Sequence, residues 1–171
     1  MRIVNKEIYL LVGAPGSGKT TYANKLLKQF AKEGIAAEHV TRDKCRKRLT
    51  GGATGKDYFS KEKEVFKEFV KDINDCINMG YEKIIVDATH INIPSRNKVL
   101  SRIKNAEDFV LVVATFKTPM EVAIERNSKR EGFELVPETA IRKMYDNFEA
   151  PLMVEFEKYN FKSIHLVNFY E

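Results

Sequence analysis

The sequence predicts an α/β protein with a mainly parallel sheet, and two observations carry that expectation. Short apolar runs of strand length alternate with longer stretches whose apolar residues recur at helical spacing. The first apolar run also ends in a glycine-rich turn that leads straight into a helical stretch.

Taken in order, residues 7–12 form the first strand, closed by Gly13. From Thr20 to Glu33, Tyr22, Ala23, Leu26, Leu27 and Phe30 share one helical face, and Gly34 punctuates it. Residues 35–40 read as a second strand. Residues 50–55 read as a flexible loop. Ser60 is placed to cap a helix to about Met79, with Val65, Phe66, Phe69, Val70, Ile73 and Ile77 as its apolar stripe. Residues 82–86 form a third strand, with Asp87 at its carboxyl end. Pro94 opens a helix to about Asn105, and residues 108–116 form a fourth strand. Thr118-Pro-Met-Glu121 reads as a capping box starting a helix to about Ser128. Residues 129–136 read as a mobile lid, Pro137 starts a helix to about Glu149, and residues 163–169 are the last strand. The tail from Leu152 onward is expected to complete the sheet, with an oligomer contact as a further role.

With 171 residues the chain fits one domain, 1–171, with a single sizeable core. Hydrophobic residues make up 43% and charged residues 31%, the balance of an ordinary globular protein. No apolar run reaches the roughly 20 residues a membrane helix needs, so no membrane partner is expected. Cys45 and Cys76 stand in no metal-binding or disulfide pattern, and no secretory leader is visible. A reducing, cytoplasmic setting is therefore expected. The formal charge of +5 permits an anionic partner only where that charge gathers beside a site.

Such a site is signalled by Gly13-Ala14-Pro15-Gly16-Ser17-Gly18-Lys19-Thr20, which matches G-x-x-x-x-G-K-[ST] in full. Glycines let the backbone wrap phosphates and aim successive N–H groups at them, and the following helix adds its positive dipole end. Lys19 then reaches the β- and γ-phosphates, and the Thr20 hydroxyl is placed to ligate Mg²⁺. The chain carries no guanine-reading N-K-x-D, which points to ATP.

After the second strand comes Thr41-Arg42-Asp43-Lys44-Cys45-Arg46-Lys47-Arg48. Ligands of open α/β sheets bind beyond the carboxyl ends of the strands, so Asp43 belongs near the cradle. A carboxylate there accepts the proton of an attacking hydroxyl, or else simply caps a helix. The basic residues around it hold phosphates of a substrate strand, or else form a solvated helix face. Asp87 is placed to hold Mg²⁺ through water, to orient an acceptor hydroxyl, or to start a loop. Arg126 and Arg130 lie four apart on one helical face before Glu131-Gly132. They close over donor phosphates, or else form an exposed pair. His90 reads as a surface loop residue without a role.

From Ile8 to Pro151 the chain resembles the 5′-kinase domain of phage-type polynucleotide kinases. The likeness is carried by the 13–20 cradle, Arg42-Asp43 with Arg46, Val86-Asp87-Ala88-Thr89, Glu125-Arg126-Asn127-Ser128-Lys129-Arg130, Val136-Pro137 and Met144-Tyr145. It implies a P-loop kinase-like three-layer fold, with the phosphate-binding strand near the middle of a sheet flanked by helices. It also implies ATP and Mg²⁺ as cofactors and a 5′-hydroxyl end of DNA or RNA as the acceptor. Asp43 would be the general base, Lys19 and Arg130 would serve the transferring phosphoryl group, and Arg126 and Arg130 would be lid arginines. Arg42 and Arg46 would hold acceptor phosphates, and Asp87 would support the acceptor or the metal. The chain departs from the family at Lys44, where relatives often carry a second acid, and in the loop Ala88-Thr-His-Ile-Asn92. It lacks a D-x-D-G-T phosphatase motif. The alternatives are a small-molecule or nucleotide-sugar kinase of the zeta-toxin-like kind, and an ATPase module without transfer chemistry.

Overall fold

The computed structural model of the protein describes residues 3–53 and 57–170. Five strands, β1 (Glu7–Val12), β2 (Ala37–Thr41), β3 (Lys83–Asp87), β4 (Val110–Phe116) and β5 (Ser163–Phe169), pair in parallel in the order β2-β3-β1-β4-β5. The strand that leads into the glycine-rich turn is therefore central. Helices α1 (Lys19–Lys32), α2 (Arg42–Thr50), α3 (Glu62–Asn78), α4 (Ile93–Leu100), α5 (Met120–Ser128), α6 (Glu138–Asp146) and α7 (Met153–Phe156) cover the sheet. The tail completes the sheet as β5, preceded by the single turn α7.

The near-continuous apolar runs of β1 and β3 mark strands buried on both faces. Ile8, Leu10 and Val12 point to one face, where Phe66, Phe69 and Ile73 of α3 and Val99 and Leu100 of α4 cover them. Tyr9 and Leu11 point to the other, against Ala23 and Phe30 of α1. Because the strands are parallel, their carboxyl ends share one edge of the sheet. Thr41 pairs with Asp87, and Asp87 with Leu11, so the three strand ends that carry the motifs lie side by side.

Local differences from the sequence reading concern helix ends. Ser60 does not cap α3; its hydroxyl donates to the Asp57 carbonyl, and Lys61 occupies the cap position. The capping box at Thr118 does not form, because the Thr118 hydroxyl donates to the Ser17 carbonyl instead (2.9 Å), and Pro119 precedes α5. Asn92 and Ser95 make the capping box that starts α4, with Pro94 inside its first turn. That helix stops at Leu100 rather than near Asn105, because Asn74 of α3 captures the chain beyond it. The Asn74 side chain donates to the Arg102 carbonyl and accepts from the Lys104 N–H. The loop expected at 50–55 begins only after α2 ends, and its residues 54 and 55 lie outside the described ones.

Candidate active site

The turn between β1 and α1 is built around two left-handed glycines, Gly16 and Gly18. Gly16 admits no side chain: a Cβ there would lie 2.4 Å from the Ala123 carbonyl oxygen of α5. The turn is held from outside by the β4–α5 junction. The Thr118 hydroxyl donates to the Ser17 carbonyl, and Arg126 Nη1 donates to the Gly16 carbonyl at 3.4 Å. Gly18 caps α1 without a side chain, so the first N–H groups of α1 keep no side-chain acceptor. Ser17 Oγ is buried without a partner. Lys19 is buried, and its Nζ donates to the Gly13 and Ala14 carbonyls at 2.7 and 3.0 Å. An orphaned hydroxyl, an uncapped helix start and a lysine turned into its own loop fit a polyphosphate ligand. Thr20 stands exposed at the start of α1.

Burial lowers the Lys19 pKa, Asp87 and Asp43 act to raise it, and Arg130 acts to lower it further. Four residues singled out in the sequence thus act on one another across the carboxyl edge of the sheet. Asp43 lies in the first turn of α2 and is not its cap, since Thr41 Oγ1 accepts from the Lys44 N–H (2.9 Å). The Asp43 side chain is 79% exposed, and its partner is Arg46 Nη1.

Arg46 and Arg42 are placed otherwise than as open phosphate ligands. Arg46 is buried, donating from Nε and Nη2 to both oxygens of Glu62 at 2.6 and 3.0 Å, with its guanidinium over Tyr58 and Phe59 at 5.3 and 5.1 Å. Burial works against its charge, but Glu62 and then Asp43 outweigh that and raise its pKa. Arg42 Nη2 donates to the same Glu62 at 3.1 Å. Arg48 is held by Asp72 at 2.9 Å. The basic segment is thus largely neutralised by acids of α3, a helix whose pairing partner the sequence did not reveal.

Asp87 is buried, and its carboxylate accepts from His39 Nε2 at 2.8 Å. His90 is not a surface residue. It is buried in a left-handed backbone conformation (φ 46°), its ring stacks on Phe69, and its Nδ1 meets the Leu11 carbonyl at 2.7 Å. Burial pushes its pKa down to about 4, so the ring is neutral near pH 7, with Nδ1–H donating. Its Nε2 is buried without a partner.

Arg130 follows α5, and Asn127 fixes the segment around it. Asn127 is buried, its Nδ2 donates to the Val136 carbonyl (2.6 Å), and its Oδ1 accepts from the Val136 N–H (3.0 Å). A single side chain thus clasps both ends of the 128–136 segment. Within it Phe133 packs on Tyr58 at 5.4 Å. Arg126 and Arg130 line a cleft of about 370 Å³ that continues past Tyr22, Phe116 and Phe169. Asn127, Glu62, His39 and His90 were missed in the sequence. Only Asn127 carried a signal, as the middle of the arginine-bearing segment.

This fold and cradle define a P-loop protein with the three-layer α/β architecture of the P-loop kinases. A family model described as an AAA domain matches residues 8–151, and the chain belongs to that family. The chain is 26% identical over 157 residues to UMP-CMP kinase 1 of Oryza sativa subsp. japonica, covering 88% of this chain and 63% of that one. It is 28% identical over 156 residues to a putative bifunctional polynucleotide kinase/RNA ligase of Autographa californica nuclear polyhedrosis virus, covering 84% of this chain and 21% of that one. The chain thus spans less than two thirds of either relative. A sugar kinase structure from Janibacter sp. superposes with a TM-score of 0.60 at 18% identity, covering 95% of this chain and 85% of that one. Its likeness is one of fold.

Proposed function

We propose that the protein transfers the γ-phosphate of ATP to the 5′-hydroxyl end of DNA or RNA. The observation that carries this reading is Asp43: a carboxylate beside the cradle, gripped from behind by Arg46 and open to solvent in front. An open approach suits an acceptor too long for a closed pocket. Asp43 takes the hydroxyl proton as the oxygen attacks the γ-phosphorus, and the bond to the β–γ bridging oxygen breaks, releasing ADP. Lys19 and Arg130 neutralise charge on the phosphoryl group, Arg126 holds the donor from the lid side, and Asp87 orients the acceptor. Mg²⁺, held by the Thr20 hydroxyl with Asp87 behind it through water, would screen the donor phosphates. Arg46 serves as a positioning residue for Asp43, and Glu62 holds Arg46. The aromatic end of the cleft, Tyr22, Phe116 and Phe169, receives the base of the donor.

A nucleotide or sugar kinase is the second reading, favoured by the similarity to the rice UMP-CMP kinase and by the Phe133–Tyr58 contact, which brings the 128–136 segment against Arg46 and Lys47 of α2. The test is transfer of labelled γ-phosphate from ATP-Mg²⁺ to short 5′-hydroxyl DNA and RNA, beside UMP, CMP and a sugar panel. Label in the strand supports the proposal. Label only in a nucleotide or sugar establishes the second reading. Phosphate release indifferent to every acceptor leaves an ATPase module.

A further inference from the structure

We propose that the groove between α3 and α4 binds the sugar-phosphate backbone of the acceptor strand and leads it to Asp43. The inference deepens the polynucleotide kinase reading and relies on it for where the strand leads. Four cations, Lys63 and Lys67 of α3 with Lys98 and Arg102 of α4 and its exit, line a groove of about 350 Å³. All four are exposed, and among the described residues none has a carboxylate within ion-pair distance. The floor is the ring of Phe66, with Lys98 Nζ 4.1 Å and the Arg102 guanidinium 5.5 Å from its centre.

Arg42 approaches that same ring, at 5.8 Å, while its Nη2 reaches Glu62. The groove therefore meets the Glu62–Arg46–Asp43 chain at Phe66, one helical turn along α3 from Glu62. The cations of the 42–48 segment that the sequence offered for a strand are mostly held by Glu62 and Asp72, whereas those of the groove are not. Four like charges with no carboxylate in ion-pair distance among the described residues repel one another, and a polyanion relieves that repulsion. A single strand suits it, because its phosphates recur along a line and each neutralised one releases counterions.

Binding is measured by fluorescence anisotropy of a 3′-labelled, 5′-hydroxyl single-stranded twelve-nucleotide DNA across a salt series. Charge reversal at two exposed positions, K67E/K98E, is expected to weaken binding about tenfold at low salt. It should also lower the slope of log Kd against log salt by about 1.4, two phosphate contacts at roughly 0.7 each. The K67R/K98R variant, which keeps the charge, retains affinity and slope. Parent-like affinity and slope in K67E/K98E overturn the proposal. Binding of the parent to phosphatidylglycerol vesicles with none to the strand overturns it as well. The assay needs no phosphoryl transfer. A strand bound through these lysines but never phosphorylated upholds the groove and sinks the kinase reading, and phosphorylation with groove-independent binding does the reverse.

Discussion

Asp43 has the two properties a base needs, access and a fixed direction. Its exposure gives access, and Arg46, anchored on Glu62, gives direction. Asp43→Asn is expected to lower kcat by about a hundredfold or more while nucleotide affinity is kept. Steady-state kinetics with the identified acceptor check this, and normal turnover would remove Asp43 from the mechanism. His90 carries a different consequence, in stability. Its pKa falls from the ordinary 6.5 to about 4, so the unfolded chain binds a proton that the folded chain refuses between those values. This contribution is intact above about pH 6.5 and is lost as pH falls toward 4, by about 3 kcal/mol at most. Urea unfolding from pH 7 to 4 should show that loss in the parent and a shallower loss in His90→Gln. Identical slopes in the two proteins would sink the assignment.

At the scale of elements, the short α7 is tied to the site through a buried ion pair. Arg96 of α4 is fully buried and donates to both oxygens of Glu155 at 2.6 and 3.0 Å, while its Nη1 donates to the His90 carbonyl at 2.8 Å. Removing one member leaves the other charge buried and uncompensated, which costs about 3–5 kcal/mol. Glu155→Ala should therefore lower stability by that amount, whereas the apolar double substitution R96M/E155L should cost clearly less. Equal losses in both would mean that packing of α7, not the charge, holds the junction. The elements themselves were legible in sequence because burial leaves a period: β1 and β3 read as apolar runs, α1 and α3 as stripes. Helix ends were not. Thr118 and Ser60 look like caps locally, but each hydroxyl is taken by a carbonyl, Ser17 for one and Asp57 for the other. Ser17 lies 101 residues from Thr118, and no local rule reaches that far.

Over the whole molecule, parallel pairing does the assembling. The sequence motif 13–20, Asp87 at the end of β3 and Asp43 just beyond the end of β2 were legible because any sheet of this class places strand termini on one edge. The partners of those residues were not legible. Glu62 against Arg46 depends on which helix packs beside which, His39 against Asp87 on which strands pair, and the burial of His90 on the helix that covers its loop. The same long-range assembly makes the cradle a joint of the fold: Gly16 lies against the α5 backbone, Ser17 on Thr118, and Lys19 on the Gly13 and Ala14 carbonyls. A triphosphate supplies acceptors for Lys19 Nζ and Ser17 Oγ, so its binding should stabilise the entire chain. With ATP-Mg²⁺ at about a hundred times Kd, the gain is about 2.7 kcal/mol. For a chain of this size that raises Tm by roughly 5–11 °C. Lys19→Ala should reduce the shift to nearly nothing, because the charge that meets the β- and γ-phosphates is gone while the turn around it remains. Differential scanning fluorimetry of the two proteins decides the matter, and an equal shift in both would mean that the nucleotide binds somewhere other than the cradle.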